Sequence, residues 1–580
     1  MGEEAQKAGG LTQENAPLVT PESTLPTSVT LASWRSNVIG RSQPEKADNA
    51  RASAIAVIGM AGQFAGAHNL DEFWRNLAAG VDSISEIPPS RWDITRYYQP
   101  GDAAPGKTYS KWLGMLDGHD CFDAAFFNIS PREARAMDPQ QRLFLQTCWH
   151  GIEHAGYNPR ALAGSQCGVF VGCSAGDYHL LSQRARLSGQ GFIGAAPSIL
   201  AARISYFLDV QGPSLAIDTA CSSSLVAIAS ACDSLVSGAC DSALAGGVYV
   251  MSGPSMQIMT AQVGMLSPHG RCFTFDERAD GIVNGEGVGV VMLKRLADAE
   301  RDGDTVYGVI EGWGVNQDGK TNGITAPNAD LQSAVQQRVY ERFDIDPGTI
   351  QLVEAHGTAT ALGDPIEVSG LCDAFRKYTD KSDYCALGSV KSNIGHCLTA
   401  AGVSGFLKLL LALQNEQLPP TLHFQRLNRH IPLAGSPFYI NDRLRAWPTN
   451  GTQPRRAAIN AFGFSGTNAH VVLAGHARKE SHAMRSDTVI IPLSAATDNQ
   501  LRQQAQNLLA WLDASDARLP PLDSIAWTLQ TGREAMNARV AFIASDLTQL
   551  RHQLQAYLAG AATSGVFQGA ASGNAELLQS

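Results

Sequence analysis

Cys221 is the residue whose type and setting are best suited to nucleophilic chemistry. It lies in the segment IDTACSSSL, residues 217–225, where a turn of small residues leads into an apolar helical segment. The N-terminus of a helix carries partial positive charge, so a cysteine there is predicted to favour its thiolate form. Backbone N–H groups at the same turn could form half of an oxyanion hole. A small buried cysteine without a chemical role is the alternative, and the flanking Asp-Thr-Ala and Ser-Ser-Ser favour the nucleophile.

Two histidines in polar, glycine-containing turns could be the partners that a thiolate nucleophile needs. His356 lies in VEAHGTAT, residues 353–360, and His396 ends KSNIGH, residues 391–396, which precedes a predicted helix at 399–413. Catalytic side chains are commonly held on such loops. A structural role is the default for any one of the 14 histidines, but three such segments in one chain favour a Cys-His-His active site.

The elements that must position these residues follow an alternating pattern of strands and helices. Residues 54–60 form a predicted buried strand that ends in a glycine turn, and residues 70–77 have helical spacing. A further helix is predicted over 139–155 and a further strand over 167–173. The alternation continues to about residue 474, which favours layered α/β structure.

A second, smaller α/β domain is predicted over residues 487–560. A strand at 489–493 is followed by apolar residues at helical spacing, and a strand at 539–544 is followed by a second such helix. Three segments outside the two domains are predicted: an N-terminal linker or docking segment at 1–53, a polar linker at 475–486, and a flexible tail rich in Gly, Ala and Ser at 561–580.

Composition excludes several classes of protein. The chain has 580 residues, of which 44% are hydrophobic and 17% charged, so disorder throughout is excluded. The net charge of −10 and the lack of a Lys/Arg run disfavour a nucleic-acid-binding protein. No uninterrupted apolar stretch approaches the ~18 residues of a membrane span, and the N-terminus lacks a signal pattern. The eleven cysteines form no C-x-x-C pair, which is typical of free thiols in a reducing cytoplasm.

The segments around Cys221, His356 and His396 together resemble the β-ketoacyl synthase family, and more specifically the ketosynthase domain of a modular type I polyketide synthase. The resemblance covers residues 54–474 without a large gap. The further stretches that carry it are NISPREA (128–134), MDPQ (137–140), MLSP (265–268), FD (275–276), ADG (279–281), GEGVG (285–289) and FGFSGTNAH (462–470).

The segment WTLQTGREAM, residues 527–536, is similar to a pattern in the linker domain that follows ketosynthases in trans-acyltransferase assembly lines. This similarity implies that no acyltransferase follows in the native module and that a separate trans-acting acyltransferase supplies the extender units. The sequence GCSAG at 172–176 matches the nucleophile-elbow pattern but is interpreted as a structural turn, and it has Cys173 where acyltransferases of these pathways typically carry His.

The resemblance implies a thiolase-like αβαβα layered fold with two related halves, a small C-terminal α/β linker domain, and a homodimer. The implied activity is that of an acyltransferase of the β-ketoacyl-[acyl carrier protein] synthase type, active in antibiotic biosynthesis. Cys221 would take an acyl chain from an upstream acyl carrier protein and condense it with a malonyl-type extender on a downstream carrier, with loss of CO₂. No metal or bound cofactor is implied, because phosphopantetheine arms of the carriers hold the substrates.

Roles for individual residues also follow from the resemblance. His356 and His396 would stabilise negative charge on the thioester oxygen of the extender. The N–H groups of Cys221 and Phe464 would hold the oxyanion at the acyl carbon, and Phe464 could also gate the pocket. The supporting residues would be Lys391, which holds the histidines, and Thr358 and Thr360, which bind the phosphopantetheine arm.

Two alternatives are a non-elongating ketosynthase that only transfers acyl chains and a catalytically inactive scaffold or chain-length partner. Non-elongating members commonly lose the histidine of the His-Gly-Thr motif, whereas His356 is present, and the retained Cys221 opposes an inactive partner. Three departures from the family pattern could shape the acyl pocket: Ala359 in place of Gly, Ala229 in place of a frequent His, and Asn460-Ala461 in place of Ser-Ser.

Overall fold

The computed structural model of the chain describes residues 53–181, 188–449, 451, 453–477, 488–514 and 519–571. The predicted N-terminal segment up to residue 52, most of the predicted linker at 475–486 and the end of the predicted tail lie outside the described residues.

The strands of the described residues, in chain order, are β1 (Ile55–Phe64), β2 (Ser85–Glu86), β3 (Trp112–Leu113), β4 (Cys167–Gly172), β5 (Ser214–Ile217), β6 (Ser242–Tyr249), β7 (Gly287–Arg295), β8 (Gly308–Gln317), β9 (Ile350–Glu354), β10 (Cys385–Gly388), β11 (Gln417–Leu418), β12 (Phe438–Ile440), β13 (Arg445–Ala446), β14 (Arg456–Phe462), β15 (Thr467–Ala474), β16 (Val489–Ala495), β17 (Ala538–Ala544) and β18 (Val566–Ala570).

The large domain is built on one sheet of eleven strands, in the order β12-β10-β9-β14-β15-β8-β1-β7-β6-β4-β5. In one half, β5, β4 and β6 are parallel to one another. Strand β7 pairs antiparallel with β6, and β1 pairs antiparallel with β7. The other half has the same pattern with one additional parallel strand: β12, β10, β9 and β14 are parallel, β15 pairs antiparallel with β14, and β8 pairs antiparallel with β15. The halves meet where β1 pairs with β8. The predicted two-halved α/β architecture is confirmed.

The α-helices of the described residues are α1 (Leu70–Ala79), α2 (Pro131–Ala136), α3 (Pro139–His154), α4 (Gly189–Ala195), α5 (Pro197–Leu208), α6 (Ser223–Val236), α7 (Ser255–Gln262), α8 (Leu296–Asp302), α9 (Ala329–Phe343), α10 (Gly363–Arg376), α11 (Lys391–Ile394), α12 (Ala401–Asn415), α13 (Asp498–Ala514), α14 (Leu522–Thr531) and α15 (Leu547–Ala559).

Helices lie on both outer faces and between the two halves. On one outer face α3 packs on β1, β6 and β7, and on the other α9 packs on β8, β15 and α10. Between the halves lie α6, which contacts both β4 and β15, and α12, which contacts β7 and β14. This is the αβαβα order that the resemblance implies.

Helix α12 is apolar on all sides because both halves of the sheet cover it. Every residue from Ala401 to Leu413 is buried. By length and composition alone, Leu398–Asn415 could cross a membrane, but 83% of this stretch is buried inside the protein. Its position in the core therefore accounts for its apolar character.

The small domain has a core of its own. Strands β16, β17 and β18 form an antiparallel sheet, and Leu501, Phe542 and Leu554 in its core are fully buried. Strand β18 lies within the stretch at 561–580 that was predicted to be a flexible tail, so that prediction is wrong for Val566–Ala570. Val566 and Phe567 have high strand propensity, and backbone pairing with β17 extends the strand over Gly569 and Ala570.

The WTLQTGREAM segment makes several of the contacts between the two domains. Nη1 of Arg533 donates to the carbonyl oxygen of Glu153 near the C-terminal end of α3, at 2.9 Å. Gly532 approaches Gly156 so closely that a Cβ would lie 2.3 Å from its carbonyl oxygen. The pattern thus reflects how the small domain is held against the large one.

Candidate active site

Cys221 lies in a tight turn between β5 and α6. A 3-10 turn spans Ala220–Ser222, and α6 begins at the next residue. Ala220 has a φ of +58°, a left-handed conformation that costs a non-glycine residue about 1–3 kcal/mol. Its N–H donates to Asp218 Oδ1 at 3.0 Å, and its carbonyl oxygen accepts from Ser223 Oγ at 2.6 Å. These bonds hold the strained turn and fix Cys221 at the N-terminus of α6.

The ends of β4 and β6 pack directly against the start of α6. A Cβ at Gly172 would lie 2.3 Å from the backbone N of Ser224, and one at Gly247 would lie 2.6 Å from Ser224 Cβ. Glycine at both positions therefore lets the sheet contact the turn that carries Cys221. The GCSAG sequence begins at this close contact, in agreement with its interpretation as a structural turn.

The structure brings Cys221, His356 and His396 together. The Sγ atom and one ring nitrogen of each histidine lie within 4.8 Å of one another. His356 follows β9, and His396 follows α11. The three side chains are 5%, 8% and 2% exposed, so the site is screened from bulk water.

Both imidazoles are neutral. Burial, reinforced by the charge of Lys391, lowers the pKa of His356 and of His396 well below the usual value. The N–H of Leu398 donates to Nδ1 of His396 at 3.0 Å. Because that nitrogen accepts a hydrogen bond, the single ring proton of His396 is on Nε2, and the ring is a hydrogen-bond donor.

Burial raises the pKa of the Cys221 thiol above its usual value, while hydrogen bonds from the Phe464 and Cys221 N–H groups and the charge of Lys391 lower it. Desolvation is the largest effect on the thiol, so burial opposes the thiolate that the helix N-terminus is predicted to favour. The N–H groups of Cys221 and Phe464 point to Sγ. If an acyl group were attached to Sγ, these N–H groups would be placed to stabilise negative charge on its oxygen.

Cys221 and both histidines face a cavity of about 250 Å³. Thr358 and Thr360 line it, with their Oγ1 atoms 3.2 Å apart, and Phe464 lines it with 53% of its surface exposed. Lys391 is buried behind this wall, where its Nζ donates to the carbonyl oxygen of His356. Lys391 therefore supports the His356 turn from behind.

The turn that carries Phe464 packs on the residues that precede Cys221. It connects β14 to β15, and a Cβ at Gly463 would lie 2.3 Å from the carbonyl oxygen of Thr219. Ser465 Oγ donates to the same oxygen at 3.4 Å. Phe464 is thus positioned by contacts with the residues that precede Cys221.

Two buried carboxylates on α10 hold the His356 turn, and sequence analysis did not identify them. Glu367 accepts the N–H groups of His356 and Gly357, each at 2.7 Å. Asp364 accepts the N–H of Ala359 at 3.0 Å. Burial raises the pKa of both carboxyl groups, that of Asp364 to about 7. The available signal was a pair of acids three residues apart in a largely apolar helix.

The substitution of Ala359 for the usual glycine occurs at a backbone position that favours glycine. Its φ is +59°, and its methyl group packs in a small buried cluster with Ile84, Cys272 and Val283. Packing and the Asp364 hydrogen bond therefore compensate for the strain. Ala229, by contrast, is buried in the core on α6 and lies away from the residues that line the cavity.

The sequence matches three family descriptions. Residues 52–299 match "Beta-ketoacyl synthase, N-terminal domain", and residues 307–425 match "Beta-ketoacyl synthase, C-terminal domain". Residues 492–561 match "RhiE-like, KS-MAT linker domain". The first two matches contain Cys221, His356 and His396, and the third covers most of the small domain.

Among curated proteins, the chain is similar to polyketide synthase PksL of Bacillus subtilis, with 45% identity over 520 residues, which is 89% of this chain and 11% of that protein. It is also similar to polyketide synthase ThaG of Burkholderia thailandensis, with 44% identity over 526 residues, 88% of this chain and 9% of that protein. The chain thus spans about a tenth of the length of these relatives.

Solved structures with the same fold include the ketosynthase from module 6 of the bacillaene synthase of Bacillus subtilis. That structure is 43% identical, with a TM-score of 0.83 over 91% of this chain and 89% of that one. An oxazolomycin ketosynthase domain of Streptomyces albus is 40% identical, with a TM-score of 0.85 over 89% of this chain and 90% of that one. The thiolase-like fold that the resemblance implies is confirmed.

We expect Glu367→Gln to destabilise the protein and to impair the site. A glutamine has one acceptor oxygen, so either the His356 or the Gly357 N–H would face an NH₂ group and lose its partner. A hydrogen bond to a charged group contributes about 1.5–3 kcal/mol. The melting temperature should therefore fall. Glu341→Gln is the control, because the bonds of Glu341 to Lys377 and Tyr378 lie on the exposed surface. It should lower the melting temperature much less, and equal effects of the two variants would contradict the role of Glu367.

Proposed function

Because the chain belongs to the β-ketoacyl synthase family, whose members are acyl-transferring condensing enzymes, we propose that it elongates a polyketide chain by decarboxylative Claisen condensation. The observation that carries this proposal is the buried arrangement of Cys221 with two neutral imidazoles at a cavity. A thiol alone would suffice for acyl transfer, whereas condensation also needs donors for a second developing charge.

In the first step, Sγ of Cys221 attacks the acyl thioester of an upstream carrier protein. A carbon–sulfur bond to Cys221 forms, the bond to the carrier sulfur breaks, and the proton of the Cys221 thiol passes to the departing carrier thiolate, which leaves as a thiol. Negative charge develops on the acyl oxygen in between, and the N–H groups of Cys221 and Phe464 stabilise it. The raised pKa of Cys221 means that deprotonation accompanies attack.

In the second step, a malonyl-type extender on a downstream carrier loses CO₂, and charge develops on its thioester oxygen. The Nε2–H of His396 and the imidazole of His356 donate to that oxygen. The enolate carbon then attacks the acyl carbon, a carbon–carbon bond forms, and Cys221 leaves as a thiolate that takes up one proton. Loss of CO₂ drives bond formation, so the step needs no bound metal or redox cofactor.

The extender would reach the site on a phosphopantetheine arm. Thr358 and Thr360 line the cavity and present two hydroxyl groups, which suit the amide groups of such an arm.

We assign the reaction to the cytoplasm, where thiols stay reduced, and to a biosynthetic pathway of the antibiotic type. The alternative, a non-elongating ketosynthase, would need Cys221 and its oxyanion donors but neither imidazole.

We also propose a homodimer that forms across the outer edge of β5. This strand is last in the sheet order, so its outer edge has no strand partner among the described residues. Exposed apolar side chains lie on β5 and on the neighbouring α5 and α4: Leu215 is 47% exposed, Tyr206 89% and Phe192 74%. An open strand edge beside apolar surface favours pairing with a second copy.

Leu215→Asp is expected to convert the dimer to a monomer, because it places a charge in the apolar interface. Sedimentation at micromolar concentration should give twice 61.7 kDa for the unchanged chain and 61.7 kDa for the variant. Leu444→Asp, at a residue 40% exposed on another surface, is the control and should remain dimeric. A monomeric wild-type chain with full activity would contradict the proposal.

A separate, trans-acting acyltransferase is the proposed source of the extender units. The match of residues 492–561 to the linker description and the GCSAG sequence, which is interpreted as a structural turn rather than a nucleophile elbow, support this. With malonyl-coenzyme A and unloaded carrier protein, elongation should occur only after an acyltransferase is added. Carrier protein already loaded with malonyl groups is the positive control, and elongation without the added enzyme would reject the idea.

His356→Ala and His396→Ala should each retain acyl loading of Cys221 but lose condensation. Loading places charge on the acyl oxygen, which backbone N–H groups hold, whereas condensation places charge on the extender oxygen. Loss of one such donor costs about 2.7–4 kcal/mol, or roughly a hundred- to a thousandfold in rate. Intact-protein mass measures loading, and product release in the same samples measures condensation. Equal loss of both steps would mean that the histidine acts instead as the base for Cys221.

A further inference from the structure

Helix α12 carries a single charged residue, Lys408, in an otherwise uncharged sequence, AGVSGFLKLLLALQN. The side chain of Lys408 is 1% exposed, and its Nζ lies 2.6 Å from Oε2 of Glu354, whose side chain is 2% exposed. Glu354 is the last residue of β9 and precedes His356 by two residues. Burial of a charge is costly unless an opposite charge compensates for it, so the two side chains are buried as a pair.

Stability alone does not account for this ion pair. The desolvation of two charges offsets most of their attraction, and apolar side chains of similar volume are often at least as stable in their place. The pair formed by Lys377 and Glu341 has the same separation of 2.6 Å, but it lies on the surface, where solvent screens the charges. The elements that the buried pair joins therefore indicate its role.

The second oxygen of Glu354 holds the segment that leads to His396. Oε1 accepts the N–H of Val390 at 2.6 Å, and Val390 directly precedes α11, which ends two residues before His396. The adjoining backbone is connected as well, because the N–H of Ala355 donates to the carbonyl oxygen of Gly388 at 2.8 Å. One carboxylate therefore joins the two segments that carry the histidines.

The bond to Val390 also affects Lys391. Lys391 is the next residue, and its Nζ donates to the carbonyl oxygen of His356. A shift of the Val390 backbone would therefore move two things together, the support of the His356 turn and the segment that leads to His396.

Lys408 connects the same carboxylate to the N-terminal end of α6, beside the nucleophile. Helix α12 begins next to α6, where the N–H of Val403 donates to Ser224 Oγ at 3.0 Å. Three residues before Lys408, a Cβ at Gly405 would lie 2.9 Å from Glu354 Cγ, so glycine lets α12 approach the end of β9. The ion pair thus lies where the segments of all three catalytic residues are joined.

We propose that Glu354 and Lys408 are positioning residues that set the distances of both imidazoles from Sγ of Cys221. Neither side chain lines the active-site cavity, so the pair acts through the backbone that it joins and not on the substrate. Lys408 holds the carboxylate in place, and the carboxylate holds the N–H of Val390. This inference rests on the proposed function, because the imidazoles that the pair positions stabilise the charge of condensation.

Two double variants separate the hydrogen bond of the carboxylate from its charge. Glu354→Gln with Lys408→Met removes both charges but keeps an oxygen that can accept the N–H of Val390. Glu354→Met with Lys408→Met removes both charges and the acceptor. Neither variant leaves one buried charge without its partner, the change that destabilises a protein most strongly. Glu341→Gln with Lys377→Met is the matched control at the exposed pair.

Ketide formation should fall by about tenfold or more in the variant without the acceptor, because a small misplacement of catalytic groups is costly in rate. It should be largely retained in the glutamine variant and unchanged in the control. The loss should appear in kcat and not in KM for the malonyl carrier, since the cavity walls are unchanged, and acyl loading of Cys221 should persist. Equal ketide rates in the two double variants, or equal loss of loading and condensation, would overturn the positioning role.

If the variant without the acceptor does not fold, Glu354→Asp with Lys408 retained replaces it. Aspartate keeps the negative charge, but its side chain is one methylene shorter and no longer reaches the N–H of Val390. The same selective loss of condensation is expected, and full ketide formation by a folded Glu354→Asp chain would overturn the proposal.

Crystal structures of the unchanged chain and of the variant without the acceptor give a readout that needs no activity. Sγ of Cys221 and one ring nitrogen of each histidine lie within 4.8 Å of one another, and at least one of these distances should lengthen by about 0.5 Å or more in the variant. Unchanged distances would overturn the positioning role. Failure of the unchanged chain to form ketide would instead reject the proposed function and leave these distances as the test of the ion pair.

Discussion

The site depends on one constraint, which is that the Cys221 turn is enclosed where the two halves of the sheet meet. Helix α6 contacts strands of both halves. Glycines at 172, 247 and 463 let strands and a turn approach it to distances that any Cβ would block. This close packing fixes the strained Ala220 backbone and places the N–H groups of Cys221 and Phe464 at the sulfur. A looser contact would give the backbone of the turn room to relax and would admit water.

Enclosure also sets the electrostatics of the site. Burial keeps both imidazoles neutral and raises the pKa of the Cys221 thiol. The ionisable groups Lys391, Glu367 and Asp364 lie one layer behind the cavity, where each is hydrogen-bonded to the backbone of the His356 turn. The reacting groups are therefore neutral donors in a medium of low polarity, in which hydrogen bonds to a developing charge are strong. The buried charges serve to fix the position of the donors.

The small domain is also held by a close backbone contact, which it makes with the C-terminal end of α3 in the large domain. Its core is separate, but Gly532 and Arg533 seat it on the end of α3, a helix that packs on the central sheet. Motion of the small domain is therefore resisted by a contact at the outer layer of the large one. This explains why a recognisable sequence pattern lies at the junction rather than in the core of the small domain.

The sequence determined the local features of this protein. Apolar periodicity predicted the strand at 54–60 and the helix at 139–155, and short motifs singled out Cys221, His356 and His396. Only the tertiary structure showed that β18 is a strand, that burial raises the pKa of the Cys221 thiol, and that Glu367 holds the His356 turn. Local patterns depend on neighbours along the chain, whereas strand pairing, desolvation and the partners of a buried polar group depend on residues that folding brings together from distant parts of the chain.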